Sequence, residues 1–189
     1  KYKDILSEKI EVKQNKMLWY SLYRPAKRHI HEFNKEKISW GDNPQYASFC
    51  LLPDDYYVLA PAYILTGDKI KYILAIMNSR ISFYYLQILA PSLQGHAISL
   101  KLQFLEKLPI PDVSQDIEYF FEELVNYVLF LRKHKKNKYM IEFFERIIDI
   151  AVYELYFKNK VHSKGFGILE IFENRLLTFD GKYETIEKI

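Results

Sequence analysis

With a single cysteine in 189 residues, Cys50, the chain can form no internal disulfide. Its fold must hold by packing alone, and a lone thiol fits a reducing, cytoplasmic setting. Glycine is scarce, six in all, at 41, 67, 95, 165, 167 and 181, and none precedes residue 41. That excludes an early glycine-rich phosphate or cofactor turn of the kind that follows a first strand. No apolar run reaches the roughly 18 residues needed to cross a bilayer. The richest, Tyr72 to Leu89, is interrupted by Asn78, Ser79 and Arg80. Signal-peptide patterning is missing too, and the first residue is Lys1 rather than Met, so the chain is expected to be part of a longer one. Charge of one sign is also modest, with a net of +3. It is unevenly spread: residues 1–50 carry ten Lys/Arg against six Asp/Glu, 51–113 five against five, and 114–189 twelve against thirteen. The excess gathers at Arg24, Lys27, Arg28, Lys35 and Lys37, beside His29 and His31. Such a cluster reads either as the footprint of a polyanion or as a solvated face.

What is abundant is apolar and aromatic. At 49% hydrophobic and 16% aromatic, the chain is a globular protein with enough length for a real core. The segment NKMLWYSLY (15–23) reads as an aromatic anchor to that core, and 24–36 as a loop or helical turn. Short apolar runs at 37–40, 47–52 and 56–65 are separated by Gly41-Asp42-Asn43-Pro44 and Pro53-Asp54-Asp55, which is turn chemistry between strands. They predict a small, twisted, partly antiparallel sheet, with Pro61 at a bend or an edge. From Asp68, placed to cap a helix, the period changes: Ile70, Ile73, Leu74 and Met77 fall at helical spacing. A second helix, Arg80 to Leu89, follows Asn78-Ser79, which can cap it. Pro91 to Gly95 is a loop, and 97–111 begins as a strand and leaves through prolines. Apolar side chains at 117, 120, 121, 124, 125, 128 and 131, and again at 140, 141, 144, 147, 148, 151 and 155, mark two amphipathic helices. The basic KHKKNK between them joins an antiparallel hairpin, in which Asp149 and Tyr153 are expected to make contacts. A third helix is expected over 167–177. The fold class is α+β, with a carboxyl-terminal helical hairpin.

No catalytic signature in the chain is complete. Asn43-Pro44-Gln45-Tyr46 differs by one letter from the Asn-Pro-Pro-Tyr with which amino-methyltransferases hold a base beside S-adenosylmethionine. Gln45 removes the second proline's rigidity, only the short KISW precedes the motif, and the cofactor turn is missing. It reads as a turn. His29 and His31 have the spacing of a metal pair on a strand, but no cysteine stands near and Glu32 would face the other way. Asp54-Asp55 after a proline is turn chemistry rather than a magnesium site. No Gly-x-Ser-x-Gly elbow or phosphate loop occurs. The residues describe a binding module, with no catalytic and no metal-ligating set.

Four stretches, in order, carry a resemblance: LWYSLYRPAKRHIHEFNKEKISWGD (18–42), YILAIMNSRISFYYLQ (72–87), FLEKLPIP (104–111) and IIDIAVYELYF (147–157). Together they resemble the TaqI-like specificity domain, the carboxyl-terminal target-recognition domain of adenine-N6 DNA methyltransferases and fused type IIG restriction–methyltransferases. The Leu-Pro-Ile-Pro exit is also similar to that of type I specificity subunits.

The resemblance implies a specificity domain of a type II restriction–modification enzyme that binds double-stranded DNA and works beside a methyltransferase domain of the same parent chain. S-adenosylmethionine, and Mg2+ where a nuclease is fused, would serve those other domains; none is expected here, nor is activity of this chain alone. The expected division is a target-recognition domain at 1–113 and a helical region at 114–189. Arg24, Lys27, Arg28, Lys35 and Lys37 are candidates for the DNA backbone, whose contacts position without specifying sequence. His29, His31, Gln94, His96 and Lys101 are candidates for base edges. For Gln94 and His96 the alternative is that they satisfy their own loop's backbone. Trp19, Tyr20 and Tyr23 could stack on bases or pack in the core. The rival from another class is a protein-interaction module, docking a partner through the aromatic and helical surfaces.

Overall fold

The fold is described from a computed structural model covering residues 2–21, 27–135 and 137–169. The chain divides into two compact units, residues 1–32 and 33–189.

In the first unit two short helices, α1 (Lys3–Ser7) and α2 (Ile10–Lys13), are followed by turns. Helices of one turn present too few apolar positions on a face to enclose a core, and no described residue of this unit is buried. The aromatic segment is therefore not the core anchor its composition predicts: Leu18 and Tyr20 are exposed, and Trp19, half-buried, meets Tyr20 edge-on at 5.4 Å. Tyr23 lies outside the described residues. A 3-10 helix, Lys27–Asn34, runs from this unit into the next, in keeping with a polar helical turn.

The second unit carries the sheet. Strands β1 (Lys37–Gly41), β2 (Cys50–Leu52) and β3 (Ala62–Leu65) lie in the order β2-β1-β3. Both pairings are antiparallel, with Ile38 opposite Leu51 on one side and Leu65 on the other. β2 and β3 are shorter than the apolar runs that predict them. β3 starts one residue after Pro61, at the sheet edge, where a residue without N–H costs no ladder bond. Before β2, the backbone of Phe49 is taken by a side chain: Asn78 Oδ1 accepts its N–H at 3.1 Å, and Asn78 Nδ2 donates to its carbonyl at 3.0 Å. One carboxamide thus makes both bonds that a neighbouring strand would make.

The helices follow the predicted periods, with one correction at an end. Asp68 does not cap α3 (Ile70–Asn78); it stands one residue too early, and the N-cap Lys69 turns the chain at a φ of 56° with no side-chain cap bond. Ser79 does cap α4 (Arg80–Leu89), accepting the N–H of Ser82 at 3.3 Å. The predicted strand after residue 97 is not one. An isolated bridge between Ser92 and Ile98 leads to a single turn, α5 (Leu102–Leu105). Ser114 and Asn137 cap the long helices α6 (Gln115–Lys133) and α7 (Lys138–His162).

One core joins sheet and helices: Ile38 and Trp40 from β1, Tyr72 and Ile76 from α3, Phe121 and Tyr127 from α6, Phe144 and Val152 from α7. Burying side chains of this size is worth roughly 1.5–3 kcal/mol each. The proline exit is held from two helices. Tyr72 donates to the Pro111 carbonyl at 2.7 Å, and Tyr156 to that of Pro109 at 2.5 Å. Burial pushes both phenols above the usual tyrosine range, first by desolvation. Asp149 makes a contact the hairpin pattern did not predict. It accepts the Arg80 backbone N–H at 2.9 Å and pairs with the Arg80 guanidinium, tying α7 to the start of α4. Most of the helix expected over 167–177 lies outside the described residues. Its approach is fixed by Glu154, buried on α7, which accepts the N–H groups of Ile168 and Leu169 and bonds His162 Nε2 at 2.7 Å.

Candidate nucleic-acid interface

At the end of β1 two loops are fastened to each other. β1 delivers Trp40, 3% exposed, whose indole N–H donates to the Leu100 carbonyl at 3.2 Å and whose ring stacks on Tyr63 at 5.3 Å. Beyond Gly41 the chain turns through Asp42 to Tyr46, and two backbone bonds tie this turn to the later loop. Ile98 N–H donates to the Pro44 carbonyl at 3.1 Å, and Leu100 N–H to that of Asp42 at 2.8 Å. These alternate bonds, with the single bridge to Ser92 on the other side, are what remains of the predicted strand. Buried Ile98 and Leu100 sink the base of the later loop into the core. The Asp42 carboxylate accepts the Tyr63 hydroxyl at 3.1 Å; burial of that phenol and then this bond push it above the usual range.

The later loop, Pro91 to Lys101, is closed by its own backbone. Leu93 N–H bonds the Ala97 carbonyl at 2.7 Å, and Ser99 N–H that of Pro91 at 2.9 Å. Its tip is a 3-10 turn, Gln94–His96, in which Gly95 and His96 both take positive φ, 71° and 62°. Glycine enters that region freely; His96 is held there by the closing bonds. Gln94, His96 and Lys101 are all exposed. Among the described residues their side chains make no hydrogen bond or ion pair, so Gln94 and His96 are not used on their own loop's backbone.

The Gln45 side chain of the turn reaches the tip of the later loop. A Cβ added to Gly95 would stand 3.4 Å from Gln45 Nε2. Asn43 and Gln45 are exposed, as is Tyr46 at 70%. In the sequence these three residues read only as a turn that fails a catalytic pattern. The available signal was Gly95, whose missing side chain leaves room for a neighbour.

The basic cluster is less uniform than its composition. Arg24 lies outside the described residues, as do the side chains of Lys27 and Arg28, whose backbone forms the first turn of the 3-10 helix. His29, His31 and Lys35 are exposed. His29 and His31 do not share a strand face, since the segment is helical, and Glu32 does not face away: its carboxylate lies 2.7 Å from His31 Nε2. Lys37 must be withdrawn from the backbone-contact set. It is 0% exposed, with its ammonium given to the Pro53 carbonyl at 2.5 Å, because its place in β1 turns it inward.

From Tyr46 at the end of the turn, residues 46–51 and helices α3, α6 and α7 line a cleft of about 760 Å3. Its Arg80, Arg132 and Arg146 are matched by Glu142, Glu145 and Asp149, with two pairs made within the cleft, Arg80–Asp149 and Arg132–Glu145. Balanced in this way, it offers no net attraction to a polyanion. Among the described residues no group of three His, Cys, Asp or Glu side chains could hold a metal, and no helix is long and apolar enough to cross a membrane.

The family model for the TaqI-like C-terminal specificity domain matches residues 1–110, more than half of the chain. The chain belongs to that family. The match takes in the sheet, both tethered loops and the first proline of the exit; α6 and α7 lie beyond it. No curated protein matches the chain. For a specificity domain, two exposed polar loops sunk at their bases into one core are a rigid way to present side chains outward.

Proposed function

We propose that the chain reads the sequence of duplex DNA for a restriction–modification enzyme that methylates adenine at N6. Membership of the specificity-domain family supports the class of function. The observation that carries the reading to particular residues is the anchored tip at Gln94 to His96, with exposed side chains unused by the protein's own backbone. Glutamine can bond adenine N6 and N7 bidentately in the major groove, and histidine and Lys101 can donate to guanine acceptors. Arg24, Lys27, Arg28 and Lys35 supply contacts to phosphates, whose strength falls with salt, and His29 and His31 are further readers of base edges.

On this reading residues 1–113 form the target-recognition part, and the helical region supports it and faces the rest of the enzyme. Methyl transfer, cleavage where a nuclease is fused, and the binding of S-adenosylmethionine or Mg2+ belong to other domains of a cytoplasmic parent of the type II class. This chain holds the duplex while a catalytic domain extrudes the base. The test is equilibrium binding of the purified chain to labelled duplexes across a salt series. One sequence should bind at least about 1000-fold more tightly than random duplex, as specific readers do. Equal affinity for every duplex would refute sequence reading, and no affinity would favour a protein-docking module.

A further inference from the structure

We infer that the turn Asp42–Tyr46 is a second reading loop and that Gln45 recognises a base pair next to the one faced by Gln94 and His96. The inference rests on the DNA-reading proposal and extends it to residues that the sequence had marked only as a turn.

The case begins with the fastening. Two backbone bonds at 2.8 and 3.1 Å and the indole bond from Trp40 give the two loops one common base. Loops so joined move together, and whatever meets the tip of one meets the other. Gln45 Nε2 lies 3.4 Å from where a Cβ of residue 95 would be, so the carboxamide sits over the 94–96 tip. Base pairs in a duplex rise about 3.4 Å per step along each strand. A glutamine whose amide lies this close to the backbone of the neighbouring tip is within one such step of the base pair that tip meets.

The chemistry is suited to the task. Asn43 and Gln45 are exposed, and among the described residues neither side chain has a hydrogen-bond partner. Two free carboxamides on this turn, and a third on Gln94 in the loop fastened to it, offer paired donors and acceptors with little charge. Asn and Gln are the side chains that match the adenine N6/N7 edge. Tyr46, 70% exposed at the end of the turn, adds an aromatic face.

The experiment is selection from a randomised duplex pool by the full 189-residue chain, with Gln45→Ala, Gln45→Glu and Gln94→Ala carried in parallel. Gln45→Ala should flatten the preference at one position, by on the order of 10- to 100-fold, and leave the position read by Gln94 intact. Gln45→Glu should move that preference from adenine toward cytosine, because a carboxylate accepts from cytosine N4. A merely structural Gln45 would not switch the base. An unchanged motif in both Gln45 variants, with a changed one in Gln94→Ala, overturns the inference and keeps the DNA-reading proposal. A native chain that enriches no motif overturns both.

Discussion

Replacing Asn78 by alanine should cost about 1–3 kcal/mol, and replacing it by aspartate should cost more. The carboxamide of Asn78 makes three bonds: it accepts from Phe49 N–H at 3.1 Å and donates to the carbonyls of Phe49 at 3.0 Å and Leu74 at 3.3 Å. Leu74 lies within the same helix, so its carbonyl keeps an intrahelical partner when the side chain is lost. The two groups of Phe49 have no such reserve, and Phe49 is buried against Trp40. At roughly 0.5–1.5 kcal/mol for each bond lost, the pair gives the range above. In a chain of this length each kcal/mol lowers Tm by about 2–4 °C, so a loss near 2 kcal/mol appears as about 4–8 °C. Aspartate keeps the acceptor but faces both carbonyls with a carboxylate that cannot donate, which adds repulsion to the loss. Thermal and urea unfolding of the native chain, Asn78→Ala and Asn78→Asp measure this directly. An alanine variant within about 0.5 kcal/mol of the native chain, or an aspartate variant more stable than the alanine one, would refute the clamp.

Glu154→Ala should remove the acceptor for two backbone N–H groups and for His162, and speed amide exchange at Ile168 and Leu169 well before global unfolding; exchange by mass spectrometry reads this out, and Glu154→Gln, which keeps one acceptor oxygen, should lie between. In alkaline titration followed by tyrosine absorbance, Tyr72 and Tyr156 should ionise after the exposed tyrosines. Their folded values lie above the ordinary value of about 10, so their contribution to stability is complete below that pH and is lost as pH rises through the folded values. Tyr72→Phe should remove one late step; ionisation of all tyrosines near the ordinary value in the folded chain would contradict the burial. For duplex binding, Lys27→Ala with Arg28→Ala should weaken cognate and random duplexes alike and reduce the salt slope by about one per lost contact, whereas Lys37→Met should leave the slope unchanged; a slope that falls for Lys37→Met would restore it to the contact set.

The helices were legible because their period is local. Arg80–Leu89 and the apolar positions of α6 and α7 could be read from spacing alone. Strand lengths were not, because pairing is decided by partners far along the chain. Phe49 looks like strand in the sequence, yet its bonds go to Asn78 across 29 positions. The segment 97–101 has strand-like composition, but its pairing is confined to two bonds with the turn at 42–44 and a single bridge to Ser92. Lys37 misled for the same reason. A lysine in a basic stretch reads as surface, and only the β1 register shows that its ammonium turns inward to Pro53. Of the site, the loop around Gly95 was legible from its glycine and its polar tip. Its neighbour at Gln45 was not, since 50 residues of chain separate it from the Gly95 backbone it lies against.

Sequence readout at the Gln94–His96 tip is tested most directly by the sites chosen by the native chain and by a Gln94→Ala, His96→Ala double variant, compared from one randomised duplex pool at a single salt concentration. The account predicts a defined motif for the native chain, and in the variant loss of preference at one or two base positions, with affinity for random duplex retained. The same motif from both proteins, at equal strength, would contradict it.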